Sequence, residues 1–135
     1  MNKKIKIKNS HFKKKFEIKK NLKGDVFKIL DKKSKNYFGF GELYITSLKK
    51  GTTKGWNLHK KMVLNLIVIK GKVRFVMKKN NKINITTLSH NKKEILTIKS
   101  NVWIKMINLD SNTSEIINFA NLKYNKNEIL KSEIK

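Results

Sequence analysis

The stretch that decides the fold is Lys54–Gly71, KGWNLHKKMVLNLIVIKG. It contains one of the two tryptophans, the imidazole of His59 within a strongly apolar run, and a glycine that closes the run. An ionisable side chain among so many aliphatic ones must find a hydrogen-bond partner or border a cavity. We therefore expect His59 to face a pocket and the rest of the chain to form the walls of that pocket.

The apolar run itself is ambiguous. By hydrophobicity alone, Leu58–Ile69 fits a long strand or a buried helix. Gly71 and the immediate restart of apolar residues after it favour two strands around a tight Lys70–Gly71 turn. In a strand that is regular from His59 onward, Asn65 shares the face of His59. The other residues predicted on that face are Lys61, Val63, Ile67 and Ile69, and those predicted on the opposite face are Met62, Leu64, Leu66 and Val68.

The rest of the chain consists of short apolar segments separated by turn residues about every ten positions, as in β-sandwiches and barrels. Further strands are predicted at Val26–Leu30, Glu42–Ser47, Val73–Met77, Ile83–Leu88, Ile95–Ile98, Val102–Leu109 and Glu115–Phe119. In the strand Glu42–Ser47, alternation places Glu42, Tyr44 and Thr46 on one face. Lys49–Gly55 is predicted to be a loop.

These elements predict an all-β fold in a single domain that spans residues 1–135. Residues 1–20 alternate lysines with apolar residues and are predicted to form a basic N-terminal arm or edge strand. Residues 125–135 form a short C-terminal tail, where helical spacing is expected.

The net charge of +24 suits a surface that follows nucleic-acid phosphates. However, Arg74 is the only arginine among the 33 basic residues, although arginine is the usual choice for bidentate contacts with phosphates and bases. Lysine, asparagine and isoleucine recur throughout and proline is absent, which indicates a drift in composition. Because a basic surface also attracts a diphosphate, charge alone leaves both kinds of ligand open.

The remaining chemistry-bearing residues are few. His11 lies in the lysine-rich arm and His90 in a polar turn, so both are predicted to be solvated, and spacing alone leaves a purely structural role open for His59. With no cysteine and one well-placed histidine, we expect no metal site and no cofactor. No glycine-rich phosphate loop and no serine in a nucleophile elbow is present. Trp103 is predicted to lie in the core, and the three tyrosines are candidate acids or stacking groups: Tyr37, Tyr44 and Tyr124.

The segment GELYITSLKKGTTKGWNLHKKMVLNLIVIKGKVRFVM resembles the central segment of the cupin-type sugar-nucleotide epimerases and isomerases, the superfamily of dTDP-4-dehydrorhamnose 3,5-epimerase. ILTIKSNVWIKMIN resembles their second cupin segment, and FANLKYNKNEI resembles their ending, where a tyrosine follows the last barrel strand. The match is closest to the short members that act in capsule, lipopolysaccharide and other surface-polysaccharide biosynthesis. The positions with similar spacing are Glu42, Tyr44, Gly51, Lys54, Trp56, His59, Met62, Asn65 and Gly71.

The resemblance implies a double-stranded β-helix (a jelly-roll barrel), a homodimer, and a nucleotide-diphosphate sugar in the mouth of the barrel. His59 would be the base that removes the proton α to the 4-keto carbonyl, since imidazole titrates near neutral pH as a general base requires. Tyr124 would be the second catalytic residue, and Lys54 and Arg74 would bind the diphosphate. The other substrate-binding positions implied are Glu42, Tyr44, Trp56 and Asn65.

The chain also departs from the family pattern. Where full epimerases carry a lysine that stabilises the enolate oxygen, this chain has Asn65. The tyrosine acid of the penultimate strand falls on Asn118, and the aromatic residue of the second segment falls on Ile104. No aspartate matches the one that orients the histidine, because all three aspartates lie in turns: Asp25, Asp31 and Asp110.

We therefore expect a metal-free isomerase that moves a proton next to the carbonyl of a nucleotide-diphospho-4-keto-sugar, by epimerisation or ketoisomerisation. One alternative is a cupin that binds a sugar nucleotide or a glycan-assembly partner without turnover, and another is a basic nucleic-acid-binding domain. No apolar run approaches the roughly 18 residues of a membrane span, and the basic N-terminus lacks the apolar segment of a secretory signal. A cytoplasmic location is expected.

Overall fold

The computed structural model of the chain describes residues 10–132, and these residues are almost entirely strands and turns. The strands are β1 His11–Lys15, β2 Glu17–Lys19, β3 Val26–Lys28, β4 Glu42–Leu48, β5 Thr53–His59, β6 Leu64–Lys70, β7 Lys72–Lys79, β8 Lys82–Ser89, β9 Glu94–Ile98, β10 Trp103–Asn108, β11 Ser114–Ala120 and β12 Ile129–Lys131. A 3-10 turn, Lys126–Glu128, precedes β12. Within the described part of the chain, no helix is long and apolar enough to cross a membrane.

The strands form two five-stranded antiparallel sheets. The first sheet has the order β1-β9-β6-β11-β4, the second has the order β12-β5-β10-β7-β8, and β2 pairs with β3 in a separate ribbon. From β4 to β7 the chain changes sheet at every connection, and it does so again from β8 to β12. This alternation between two facing sheets is the topology of a jelly roll, so the predicted all-β barrel is confirmed.

The core lies between the two sheets. In the central strands of both sheets, alternate side chains point inward, and most of these inward residues are aliphatic, aromatic or methionine side chains with almost no exposed surface. Phe75 in β7, Leu96 in β9 and Met62 in the β5–β6 connection are fully buried members of one continuous cluster. Among residues 10–132, fifteen buried residues belong to this cluster, and they fill the space between the two sheets.

The sequence interpretation of the apolar run was wrong in one respect. His59 ends β5 in the second sheet, and Leu64 begins β6 in the first, so Lys60–Val63 connects two sheets and is not strand. The connection breaks the alternation that was assumed to start at His59. Thr53–Gly55, predicted to be part of a loop, belongs to β5.

Gly71 does separate two strands, as predicted, but β6 and β7 belong to different sheets and do not pair as a hairpin. Gly71 has a φ of 84°, a conformation that favours glycine. A Cβ at this position would collide with the side chain of Ser114, which accepts a hydrogen bond from the N–H of Lys72 at 3.1 Å. The crossing between sheets therefore requires glycine.

The two ends of the chain differ from their predicted forms. Within the proposed N-terminal arm, residues 1–9 lie outside the described residues, whereas β1 pairs with β9 as an edge strand. The tail was expected to have helical spacing, but Ile129–Lys131 forms β12 at the edge of the second sheet, paired with β5. The register His59↔Ile129 brings the tail next to the histidine.

Candidate active site

A cavity of about 420 Å³ opens between the two sheets at one end of the barrel. Its lining combines apolar side chains with ionisable and hydroxyl-bearing ones. The residues that line it are Glu42, Tyr44, Thr46, Lys54, Asn57, His59, Leu64, Leu66, Ile104, Met106, Ile116, Asn118, Tyr124, Ile129 and Lys131. A mostly apolar concave site with a few convergent polar groups is the usual form of a small-molecule site.

His59 is held by the carboxylate of Glu128. The distance between Nδ1 of His59 and Oε2 of Glu128 is 2.7 Å, and the two side chains are only 13% and 9% exposed. The other oxygen of Glu128 accepts hydrogen bonds from the backbone N–H groups of Lys61 and Met62, at 2.9 and 3.1 Å. The carboxylate therefore fixes both the imidazole and the connection that follows it.

The protonation of this pair follows from its contacts. Burial by itself raises the pKa of the Glu128 carboxyl, but the hydrogen bonds from His59, Lys61 and Met62 outweigh it and lower the pKa below its ordinary value. Glu128 is therefore ionised at neutral pH and can only accept hydrogen bonds. Because a carboxylate accepts from Nδ1–H, the neutral imidazole is the tautomer with an unprotonated Nε2, which is the form that a base requires.

Glu128 was missed in the sequence. The resemblance implied an aspartate as the orienting acid, and the helical spacing predicted for the tail gave no reason to place Glu128 beside His59. A signal was nevertheless present, since the chain has only nine acidic residues and Glu128 directly precedes the apolar pair Ile129 and Leu130. A histidine that needs a carboxylate partner has few candidates in such a basic chain.

A second polar pair lies on the first sheet. Asn118 in β11 and Tyr44 in β4 are register partners, and Nδ2 of Asn118 donates to the hydroxyl oxygen of Tyr44 at 2.9 Å. The amide oxygen of Asn118 accepts from the backbone N–H of Asn65 at 3.0 Å. Burial raises the pKa of the Tyr44 hydroxyl, the hydrogen bond from Asn118 partly opposes this, and the negative charges of Glu42 and Glu128 raise the pKa further.

The mouth of the cavity carries Tyr124 and two lysines. Glu42 accepts a hydrogen bond from the backbone N–H of Tyr124 at 2.7 Å, which ties the segment after β11 to β4. Tyr124 is 51% exposed. Lys54 in β5 and Lys131 in β12 are exposed residues of the lining, so the mouth presents positive charge to a ligand.

The structure thus brings five of the predicted site residues to one cavity: His59, Tyr124, Glu42, Tyr44 and Lys54. The prediction that Glu42, Tyr44 and Thr46 share one face of their strand is confirmed, because all three line the cavity. Asn118 and Ile104, the positions that depart from the family pattern, also line it.

Three predicted substrate-binding residues lie elsewhere. Asn65 faces the opposite side of its sheet, where Nδ2 donates to the carbonyl oxygen of Asn36 at 2.8 Å and Oδ1 accepts from the hydroxyl of Thr97 at 2.5 Å. The reason is the break after His59, which reverses the expected alternation and turns Leu64 and Leu66 toward the cavity.

Trp56 and Arg74 also point away from the cavity. Trp56 is buried under the ammonium group of Lys105, which lies 4.9 Å from the ring centroid. Arg74 is exposed on β7, where the neighbouring residue Phe75 takes the inward position. The diphosphate role that the resemblance gave to Arg74 is not compatible with this placement, whereas Lys54 remains at the mouth.

The other two histidines lie outside this cavity. Nδ1 of His11 is 2.8 Å from the hydroxyl of Ser10. His90 is exposed, as predicted, and its backbone N–H donates to the carbonyl oxygen of Gly71 at 3.1 Å. Within residues 10–132, no three His, Cys, Asp or Glu side chains converge as a metal site would require.

The fold and the cavity define a class of protein: a cupin-type jelly roll with a carboxylate-held histidine between its sheets. The chain belongs to the WxcM-like, C-terminal family (FdtA), whose sequence model matches residues 8–134. The resemblance to the cupin-type sugar-nucleotide isomerases is thereby confirmed. Among curated proteins, none matches the chain with significance.

Solved structures of similar fold support this assignment. QdtA, a sugar 3,4-ketoisomerase from Thermoanaerobacterium thermosaccharolyticum solved with TDP, superimposes with a TM-score of 0.78 at 22% identity, over 92% of this chain and 89% of that chain. A dTDP sugar isomerase from Desulfovibrio desulfuricans G20 gives a TM-score of 0.79 at 18% identity, over 90% and 83% of the two chains. A dTDP-4-dehydrorhamnose 3,5-epimerase from Elizabethkingia anophelis gives 0.80 at 15% identity, over 92% and 75%. At these identities the likeness establishes the fold.

Proposed function

We propose that the protein is a sugar-nucleotide isomerase that removes a proton from the carbon next to the carbonyl of a nucleotide-diphospho-4-keto-sugar. The observation that carries this proposal is the 2.7 Å contact between His59 and Glu128 at the wall of the cavity. The family and the fold support it, since similar structures belong to sugar ketoisomerases and epimerases, one of them solved with TDP-4-keto-6-deoxyglucose.

The chemistry follows from the tautomer of His59. Its Nε2 takes the proton from the carbon, the electron pair of the broken C–H bond forms a C=C bond, and the carbonyl π electrons move to the oxygen. Return of a proton to the same carbon from the opposite face inverts that centre. Return to the former carbonyl carbon shifts the keto group, and in that case the hydroxyl on the deprotonated carbon loses its proton as the former carbonyl oxygen gains one. Both outcomes share the enolisation step, to which a well-placed general base contributes a factor of about 10²–10⁴.

We assign the diphosphate to the lysines at the mouth. Lys54 and Lys131 are exposed residues of the lining, and a compact ammonium group suits a phosphate oxygen. Tyr124, at the same mouth, would contact the sugar. No cofactor and no metal is needed for proton transfer next to a carbonyl, so the proposal is a metal-free reaction.

The test is solvent exchange with TDP-4-keto-6-deoxyglucose in D₂O, followed by ¹H NMR at the carbons next to the carbonyl. The wild-type protein should introduce deuterium, and His59→Ala should slow the exchange by about 10²–10⁴-fold. His90→Ala is the matched control, because His90 lies outside the cavity. Unchanged exchange in His59→Ala would remove His59 as the base, and binding of dTDP without any exchange by the wild type would favour a non-catalytic cupin.

We further propose a homodimer. Its support is the exposed apolar surface on the outer faces of both sheets, where Leu43 and Ile45 on β4 are 58% and 57% exposed, and Ile83 and Ile85 on β8 are similarly open. Sedimentation equilibrium should give a mass twice that of the 15.9 kDa chain, and a monomer at micromolar concentration would contradict this proposal.

The setting we propose is the cytoplasm, within the biosynthesis of surface polysaccharides such as lipopolysaccharide, because nucleotide-activated sugars are made and consumed there. Deletion of the gene should change the sugar composition of the surface glycan. An unchanged glycan would argue against this setting.

A further inference from the structure

The orientation of the Asn118 amide is determined by its surroundings. One end of the amide faces the backbone N–H of Asn65 at 3.0 Å, and a backbone N–H can only donate. The oxygen of the amide must therefore be at that end, and the NH₂ group at the other end faces Tyr44. Because the NH₂ group can only donate, the hydroxyl oxygen of Tyr44 is the acceptor of the 2.9 Å hydrogen bond.

This leaves the hydroxyl proton of Tyr44 without a role in the pair. Within the described part of the chain, the Tyr44 hydroxyl makes no hydrogen bond to a protein acceptor, and Tyr44 lines the cavity. A half-buried hydroxyl that has already accepted one hydrogen bond is oriented to donate in another direction. The open direction is the cavity itself.

From this geometry we infer that Tyr44 is the donor that stabilises the carbonyl oxygen of the substrate as it becomes an enolate oxygen, and that Asn118 is the positioning residue that sets the direction of the Tyr44 hydroxyl. The inference rests on the proposed function. In the reaction, His59 takes the carbon-bound proton while the negative charge develops on the oxygen, to which Tyr44 donates a hydrogen bond. The hydroxyl proton remains on Tyr44, so the step balances without another reactant.

The placement of the two residues suits this division of roles. Tyr44 belongs to β4 of the first sheet and His59 to β5 of the second, so they line the same cavity from opposite walls. A substrate between the sheets can therefore present its carbon to one residue and its oxygen to the other. Burial raises the pKa of Tyr44, which keeps its hydroxyl protonated over the working pH range.

Two residues that the sequence suggested for polar roles fit this position less well. The amide of Asn65 lies outside the cavity, hydrogen-bonded to Asn36 and Thr97. Tyr124 is 51% exposed at the mouth, where water competes for its hydroxyl and weakens any hydrogen bond to an oxyanion. Donors are worth most where they are fixed in advance and shielded from water, as Tyr44 is.

The first test replaces each tyrosine by phenylalanine and measures deuterium exchange into TDP-4-keto-6-deoxyglucose. Tyr44→Phe should slow exchange by about 10²–10³-fold, the usual loss for one donor to an oxyanion, while the affinity for dTDP stays within a few-fold. Tyr37→Phe is the matched control, because Tyr37 contacts the ring of Phe119 and lies outside the cavity lining. If Tyr44→Phe retains full exchange, or if Tyr124→Phe alone loses it, the inference is wrong.

The second test reverses the direction of the hydrogen bond. Asn118→Asp keeps an oxygen for the Asn65 N–H but replaces the amide donor by an acceptor, so the Tyr44 hydroxyl would donate to the new carboxylate and not to the substrate. Exchange should fall by about as much as in Tyr44→Phe, and the double variant should be no slower than either single variant, because both remove the same interaction. Additive losses would overturn the assignment of Asn118 as a residue that acts through Tyr44.

The outcomes separate this inference from the proposed function. Absence of exchange by the wild type with any 4-keto sugar nucleotide rejects the function, whereas normal exchange in Tyr44→Phe rejects only the role of Tyr44. A neutron structure of the wild-type protein shows the direction of the Tyr44 hydroxyl and the orientation of the Asn118 amide, independently of any activity measurement. It should show a deuteron on Tyr44 directed into the cavity, and an amide oxygen of Asn118 facing Tyr44 would overturn the inference even if Asn118→Asp fails to fold.

Discussion

At the scale of single residues, Glu128 combines two tasks in one carboxylate. One oxygen holds Nδ1 of His59, and the other holds the backbone N–H groups of Lys61 and Met62 at the start of the β5–β6 connection. The same group therefore sets the tautomer of the proposed base and anchors the backbone that carries it. Glutamine, the neutral isostere, separates these tasks. Its oxygen can still accept from the backbone N–H groups, but its NH₂ group cannot accept a hydrogen bond from Nδ1 of the histidine.

The Glu128→Gln variant should fold but should catalyse deuterium exchange into the substrate only slowly. The glutamine oxygen can accept from Lys61 and Met62, while its NH₂ group faces His59, makes Nδ1 an acceptor and moves the proton to Nε2. A base with its proton on the wrong nitrogen should lose about 10²–10⁴ in exchange rate. The measurement is deuterium exchange into TDP-4-keto-6-deoxyglucose. The control is Glu94→Gln, because Glu94 pairs with Lys13 and lies outside the lining of the cavity. Exchange at the wild-type rate in Glu128→Gln would show that the carboxylate does not set the tautomer.

The candidate site was only partly predictable at this scale. His59, Tyr44 and Glu42 were found because an ionisable residue in an apolar run and a two-residue alternation are local patterns. Glu128 was not, because its contact with His59 joins residues 69 positions apart and depends on a tail that pairs with β5. Asn65 was misplaced for a related reason, since the break after His59 reversed the face on which it lies.

At the scale of elements, the crossing at Gly71 links the two sheets. β6 and β7 belong to different sheets, and the residue between them has a φ of 84° with Ser114 directly against it. Strand positions were predictable because turn residues mark their ends, but the choice of sheet was not, because partner selection depends on contacts distant in sequence. The predicted Lys70–Gly71 turn therefore existed, although not as a hairpin.

Gly71→Ala should destabilise the protein by more than Gly51→Ala. Gly51 has a similar φ of 70° but open space around its Cβ position, so alanine there costs only the backbone strain of about 1 kcal/mol. At Gly71 the same strain is added to a collision with the Ser114 side chain, for a total of about 2–4 kcal/mol. The midpoint of urea unfolding measures both variants. Equal losses would show that the contact with Ser114 relaxes freely.

At the scale of the whole molecule, the net charge of +24 acts on stability and on partners together. Among the described residues, few lysines form ion pairs; Lys13–Glu94 and Lys20–Asp25 are the two between lysine and an acid. The remaining cations repel one another across the surface, which disfavours the compact state at low ionic strength. The same charge attracts polyanions without sequence preference.

Salt should therefore raise the stability of the protein and weaken its binding to nucleic acid. Between about 0.01 and 1 M salt the Debye length falls from about 30 to about 3 Å, which screens the repulsion between lysines. The urea midpoint should rise over this range, and binding to a random DNA duplex should weaken steeply. Sequence-specific binding that persists at high salt would favour the nucleic-acid alternative over a sugar-nucleotide enzyme.

The position of Glu128 late in the sequence has a consequence during synthesis on the ribosome. A nascent chain that has emerged only as far as β11 already contains the strands of the core, His59 and Tyr44, but not the carboxylate that holds Nδ1 of the histidine. Such a chain would have a nearly complete cavity and an imidazole with no fixed tautomer. Translation would thus complete most of the cavity before Glu128 can fix the tautomer of His59. The proposed proton transfer would begin only once Glu128 has formed its hydrogen bond with His59.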